Sequence, residues 1–398
     1  MILQKEKLAQ KPMVSSRLHE VEEYYFAKKL AEIERMKKQG KNIINLGIGS
    51  PDLPPHPLVI QTLFEEAQKP QQHGYQSYRG SIVLREAAAG WYQKWFDVKL
   101  DAASQIIPLM GSKEGIMHIC MAFLNEGDGV LIPDPGYPTY RSAATIAGAK
   151  VHTYTLNESN GWQPDFKKLE EADLSGVKLM FVNYPQMPSG AKAQKETFRS
   201  LISFARKNHI LIVHDNPYSF ILNDEPLSIL SFDPDMENVI ELNSLSKSHN
   251  MAGWRVGLML SSKSNLDQVM KFKSNMDSGM FLPVQLAAAR ALSLDADWFH
   301  SLNGIYSKRR KLVYNILDQL DVRYSKDQAG LFIWGKVSEK FESGFAMSDF
   351  VLNNCHVFIT PGGIFGNEGN NYVRISLCAS EEILEKAFEQ IKQGLSNE

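Results

Sequence analysis

The stretch Val239-Ile240-Glu241-Leu242-Asn243-Ser244-Leu245-Ser246-Lys247 carries an apolar strand pattern straight into a lysine flanked by serines. The same layout recurs upstream. Ile210–His214 leads into Asp215-Asn216-Pro217-Tyr218, and Val177–Val182 leads into Asn183-Tyr184-Pro185. Asn183 and Asp215 are 32 residues apart (215 − 183), and so are Asp215 and Lys247 (247 − 215). That interval is about one strand–helix–strand unit, roughly 30 residues or more. Three successive units therefore bring an amide, a carboxylate and an amine to the carboxyl edge of a sheet. Open α/β sheets bind their ligands at that edge.

Further strand runs are Val130-Leu131-Ile132, Lys150–Thr155 and Val256–Leu260, with helical segments Lys113–Leu124 and Lys195–Lys207 between runs. The alternation predicts a mainly parallel α/β sheet in a large domain spanning residues 46–285. Residues 286–320 read as one long helical stretch, followed by strands at Gly330–Val337 and Tyr372–Leu377 and a final helix over 380–395. We read residues 286–398 as a smaller α+β domain, joined by the N-terminal segment 1–45. In that segment, residues 17–39 read as a helix with Tyr24, Phe26, Leu30 and Ile33 as its apolar residues, ended by Gly40.

The chain has 398 residues, 43% of them hydrophobic and 22% charged, as in ordinary globular proteins. A net charge of -2 gives no footing for nucleic acid or an anionic membrane. Three cysteines cannot make a full disulfide set, and no apolar run reaches membrane-span length, so we expect a cytoplasmic protein. The ten histidines show no metal-binding spacing, so no metal is expected.

A lysine amine forms a Schiff base with an aldehyde, and a buried aspartate pairs with a pyridinium nitrogen. Asparagine and tyrosine suit a phenolate oxygen, and Tyr137, after Val130–Ile132, can stack on a ring. Gly111-Ser112-Lys113-Glu114-Gly115 opens a helical run, so its backbone N–H groups and helix dipole would face an anion such as phosphate. Arg255, eight residues after Lys247, is close enough to return a guanidinium to it. Each residue has a plainer reading: a surface lysine, a helix-capping Asp215, a core Tyr137, a structural ion pair at Arg374.

Taken together, Ser244-Leu245-Ser246-Lys247-Ser248-His249-Asn250-Met251-Ala252-Gly253-Trp254-Arg255-Val256-Gly257 resembles the lysine signature of class I aminotransferases that use pyridoxal 5'-phosphate (PLP). Other matches fall in family order: Gly47–Asp52, Tyr75 with Tyr78-Arg79-Gly80, Asn183-Tyr184-Pro185 with Pro188-Ser189-Gly190, Asp215 with Tyr218, and Tyr372-Val373-Arg374-Ile375-Ser376. They cover residues 46–377. The resemblance implies the fold-type I PLP-dependent transferase architecture and ping-pong exchange of an amino group between an L-amino acid and a 2-oxo acid. It implies that Lys247 carries the cofactor and moves the proton, and that Asp215 binds the ring nitrogen. Asn183 and Tyr218 would bind the phenolate oxygen. Ser112, Ser244, Ser246 and Arg255 would hold the phosphate, with Lys113 nearby. Arg374 would clamp the substrate α-carboxylate beside Gly49. Tyr75 would reach the phosphate of a neighbouring subunit, which implies a homodimer.

The segments Gly111-Ser112-Lys113-Glu114-Gly115 and Asp277–Phe281 look most like LL-diaminopimelate and alanine-type aminotransferases. One departure is Gln186-Met187, where the family usually carries two asparagines. Two alternatives share the cofactor: a carbon–sulfur β-lyase, and a non-catalytic PLP-binding sensor module. The sensor would need a helix-turn-helix segment, and only about 45 residues precede the glycine loop.

Overall fold

Seven short runs rich in branched apolar residues pair into one sheet: β1 (Ile106–Leu109), β2 (Gly129–Asp134), β3 (Lys150–Thr155), β4 (Val177–Asn183), β5 (Leu211–Asp215), β6 (Val239–Ser244) and β7 (Gly257–Leu260). The computed structural model describes residues 14–19, 21 and 25–396. The strand order is β1-β7-β6-β5-β4-β2-β3. Strands β2 to β6 are parallel, while β7 runs antiparallel to both β6 and β1. Every residue of β6 is buried, as expected of a parallel strand covered on both faces. One face packs on Trp91, Tyr92 and Phe198, the other on Ile116, Ile119 and Tyr140.

A second, antiparallel sheet has the order β10-β11-β9-β8, built from β8 (Arg323–Tyr324), β9 (Phe332–Lys336), β10 (Thr360–Pro361) and β11 (Tyr372–Ser376). Its core includes Val313, Met347, Val373 and Leu384. Ile44–Asn45 pairs in parallel with Val357–Phe358 beside it. The glycine loop then leans on this second sheet. Ser376 N–H donates to Leu46 O at 2.8 Å, and Thr360 Oγ1 donates to Gly47 O at 3.0 Å. Arg309 grips Asp52 with two bonds of 2.6 and 2.8 Å. Glycine is required at position 47, because a Cβ there would lie 2.4 Å from the Phe358 ring.

Two expectations need correction. The stretch 286–320 is not one helix but two, Leu282–Leu292 and Ala296–Gln319. Asp295 caps the second by accepting the Asp297 N–H at 3.1 Å, so a polar Ser-Leu-Asp corner interrupts the apolar periodicity. The N-terminal helix is shorter than 17–39. It spans Tyr25–Lys38 after a separate 3-10 turn at Ser16–Leu18, and Tyr24 lies outside the described residues. No helix among the described residues is long and apolar enough to cross a membrane.

Strand β6 buries a carboxylate, Glu241, and surrounds it with donors. Tyr92 OH donates at 2.7 Å, Ser228 Oγ at 2.9 Å and Ile229 N–H at 3.0 Å, and His214 Nδ1 lies 2.9 Å away. A buried charge without such partners would cost several kcal/mol. Tyr92→Phe should therefore destabilise the protein by about 1–3 kcal/mol, read as a lower midpoint in urea unfolding. An unchanged midpoint would show that the remaining donors suffice.

Candidate active site

The carboxyl ends of β4, β5 and β6 open into a cavity of about 320 Å³. Gly49, Ser112, Lys113, Tyr137, Asn183, Asp215, Tyr218, Ser244, Ser246, Lys247, Arg255 and Arg374 all line it. Of the residues to which the resemblance gives a cofactor or substrate role, Tyr75 alone lies apart. Its side chain is 95% exposed in the turn before the helix Ile82–Phe96.

Lys247 follows β6 in a single helical turn, Leu245–Ser248, capped by Ser244 accepting the Ser246 N–H at 3.2 Å. Its Nζ donates to Gly49 O at 2.6 Å. Burial lowers the basicity of this amine, and the guanidiniums of Arg374 and Arg255 act in the same direction. Asp215 ends β5. Its Oδ2 accepts the Tyr140 hydroxyl at 2.9 Å, whereas its buried Oδ1 has no hydrogen-bond partner. Burial pushes this carboxyl up to about 6, against the Tyr140 hydrogen bond and the His214 charge, which favour ionisation. Burial likewise raises the Tyr218 phenol. Asn183 ends β4 and braces the floor: its Nδ2 donates to Asp215 O at 2.6 Å, and its Oδ1 accepts the Met187 N–H at 2.7 Å.

The other end of the cavity is cationic. Helix Ser112–Phe123 starts there from Gly111, whose φ is +86°. A Cβ at Gly111 would sit 2.0 Å from Arg255 Nη2, and one at Gly257 would sit 2.7 Å from Ser112 N. Two glycines thus let the helix start, β7 and the guanidinium converge. Arg255 is held by Nη1 donating to Ala252 O at 2.9 Å.

On the side facing the second sheet stands Arg374, nearly fully buried. Its Nη2 donates to Gly47 O at 2.9 Å, and its Nη1 contacts Met187 Sδ at 3.2 Å. The guanidinium lies 3.7 Å from the Phe332 ring centroid and 4.7 Å from that of Phe365, within cation–π range. At the Gln186-Met187 departure, Gln186 Nε2 donates to Pro135 O at 2.8 Å, and Gln186 Oε1 accepts the Ser189 N–H at 2.8 Å. Gln186 therefore closes the loop, while Met187 faces the cavity.

Sequence reasoning missed Tyr140, Phe332 and Phe365. The signal for Tyr140 was available: it lies three residues after Tyr137, which stands just before the helix Pro138–Ile146, and the two rings meet with centroids 5.6 Å apart. Gly363-Ile364-Phe365-Gly366 reads as a turn in the sequence, and a 3-10 turn forms over Gly362–Phe365. Nothing local announced that its phenylalanine covers Arg374.

These groups fit PLP. An amine of lowered basicity, an orphaned buried carboxylate oxygen and a cationic helix start occupy one cavity, as its aldehyde, ring nitrogen and phosphate require. Comparison with known proteins agrees. Residues 41–391 match the family "Aminotransferase class I and II". The chain is 39% identical over 388 residues to the LL-diaminopimelate aminotransferase of Oleidesulfovibrio alaskensis, covering 95% of this chain and 98% of that one. It is 37% identical over 380 residues to the enzyme of that name from Dehalococcoides mccartyi, with the same coverage. Among solved structures, apo-BacF from Bacillus subtilis superposes with a TM-score of 0.92 at 34% identity, covering 96% of this chain and 98% of that one. The sheet, the lysine cavity and the family match lead to one conclusion: the chain belongs to the class I and II aminotransferases, as a PLP-dependent enzyme of the fold-type I architecture.

Proposed function

We propose that this aminotransferase works by ping-pong exchange between an L-amino acid of the LL-diaminopimelate type and a 2-oxo acid, in a cytoplasmic homodimer. The substrate class rests on the names of the relatives and on the resemblance carried by Gly111–Gly115 and Asp277–Phe281. The reading of the site rests on one observation above all: Lys247 Nζ and the unpartnered Asp215 Oδ1 share a cavity with an arginine on either side. We take residues 46–285 as the large domain, and residues 286–398 with the segment 1–45 as the smaller one.

When bound, the cofactor supplies an aldehyde that takes up the amino group and a ring that draws electrons from the substrate Cα–H bond. The chain's residues do the rest. Asp215 holds the ring nitrogen protonated, because an adjacent carboxylate favours a cation. Asn183 and Tyr218 donate to the phenolate oxygen, and Tyr137 stacks on the ring. Ser112, Ser244, Ser246 and Arg255 bind the phosphate, with Lys113 beside them. Arg374 would hold the substrate α-carboxylate near Gly49, since a guanidinium can pair with a carboxylate through two hydrogen bonds. That places Cα–H near Lys247, whose lowered basicity lets the neutral amine carry the proton away from Cα and return it.

Borohydride reduction of the loaded enzyme should fix the cofactor on the peptide containing Lys247, and Lys247→Ala should lose multiple turnover. Label on another lysine would reject the assignment. Screening single amino acids for conversion of the bound cofactor to pyridoxamine phosphate, by absorbance, should rank LL-diaminopimelate among the best donors.

The Asp215 role has a pH signature in the cofactor-free protein. Its carboxyl titrates near 6 when folded, against about 3.9 when unfolded, so the folded state holds the proton more tightly. Stability should therefore fall as pH rises from about 4 to about 6, by about 3 kcal/mol in all. Asp215→Asn should abolish that slope in urea unfolding, and Tyr140→Phe should shift it to higher pH by removing a hydrogen bond to the ionised form. A wild-type slope indistinguishable from Asp215→Asn would reject the assignment.

Tyr75 is assigned to the partner's phosphate. Mixed dimers of Tyr75→Phe and Lys247→Ala chains should regain activity, because one site collects both lesions and the other neither. Absence of recovery, with Tyr75→Phe itself impaired, would place Tyr75 in its own chain's site.

A further inference from the structure

Below the helix start that lines the cavity lies a buried ionic cluster that the function described so far does not use. Glu114, His118 and Asp277 bring their ligand atoms within 4.8 Å of one another. Such a spacing suits a cation, and the protein supplies one. Lys273, 1% exposed, puts its ammonium 3.6 Å from Glu114 Oε1 and in direct contact with Asp277 Oδ2. His118 Nε2 lies 2.6 Å from Glu114 Oε1. Asp277 Oδ1 in turn accepts the Gly279 N–H at 2.9 Å, which fixes the turn beyond the helix Lys263–Lys273.

Glu114 is the member tied to the loop before the helix start. It stands in the first turn of the helix Ser112–Phe123, and its Oε2 accepts the Met110 N–H directly before Gly111. The carboxylate therefore shapes the loop whose N–H groups and dipole attract an anion. It also puts a negative charge in the first turn of the helix whose start would hold that anion. A like charge in a poorly hydrated site repels strongly, and only an adjacent opposite charge cancels it.

We propose that Lys273 is a positioning residue for the cofactor phosphate: shared between Asp277 and Glu114, it offsets the charge of Glu114, so that this carboxylate can brace the Met110–Gly111 loop with less repulsion of the phosphate. The inference rests on the reading that the Ser112 helix start and Arg255 hold that phosphate. Lys273 does not line the cavity. It acts through Glu114, and its effect belongs to the phosphate alone.

The test compares the affinity of the full-length, cofactor-stripped enzyme for PLP with its affinity for pyridoxal, which lacks the phosphate. Lys273→Met should weaken PLP by roughly tenfold or more and leave pyridoxal nearly unchanged. Glu114→Gln should shift the ratio the other way, favouring PLP, because it removes the negative charge and keeps an acceptor for Met110. The double variant should return close to the wild-type ratio. Equal losses for PLP and pyridoxal in Lys273→Met would mean a merely structural role and overturn the proposal. If Lys273→Met does not fold, Glu114→Gln decides alone: a fall in the ratio, or no change, overturns it. Arg255→Gln separates the two readings. If it lowers the ratio while the cluster variants do nothing, the phosphate site stands and the Lys273 role falls. If it leaves the ratio unchanged, the phosphate assignment falls and takes the Lys273 role with it.

Discussion

Lys247 and Asp215 are withdrawn from water into the same cavity, and neither neutralises the other. A buried amine and a buried carboxyl each resist ionisation, which is why one is lowered in basicity and the other raised to about 6. The surrounding fold gives each only part of what it needs. Lys247 has a single backbone acceptor, the Gly49 carbonyl, and Asp215 has one hydroxyl donor, Tyr140, and one bare oxygen. The pair is costly as it stands, and under the proposed function a cofactor with an aldehyde and a basic ring nitrogen would complete it. Groups already held in one cavity lose little further freedom when they receive a ligand.

The parallel sheet makes that arrangement possible. Strands β4, β5 and β6 are adjacent and point the same way, so Asn183, Asp215 and the turn bearing Lys247 emerge side by side. This much was legible in the chain, because apolar runs set at equal intervals can be read without knowing what packs on them. Parallel direction follows from the helical segments that separate them. Less legible were β1 and the reversed direction of β7, since four-residue apolar runs carry no sign of which neighbour they choose. The break at Ser293–Asp295 was hidden for a related reason. Helical residues on both sides masked a cap that only a local hydrogen bond defines.

In the site, residues inside a contiguous motif could be found from the chain, and those that support them from a distance could not. Tyr140 carried a usable spacing signal. Phe332 and Phe365 reach Arg374 from β9 and from a 3-10 turn, 42 and 9 residues away in sequence (374 − 332 and 374 − 365). An ordinary apolar strand residue gives no hint that its ring will face a guanidinium. Lys273 is more opaque still, because a lysine at the end of a helix reads as a solvated cation at the negative end of the dipole. Its burial is a fact of tertiary packing alone.

The hydrogen bond from Lys247 to Gly49 has a thermodynamic corollary. Gly49 belongs to a loop fastened to the second sheet at Leu46 and Gly47, through Ser376 and Thr360, and to the helix Ala296–Gln319 at Asp52, through Arg309. The amine is thus a tether between the first sheet and the second. Any ligand that engages the amine releases the tether, and any displacement of the second sheet leaves the amine without its acceptor. By reciprocity of linked equilibria, chemistry at the lysine and the relative placement of the two sheets must bias each other by the same free energy. The cycling of one nitrogen between backbone and ligand would then act as a signal to the rest of the molecule that its site is loaded.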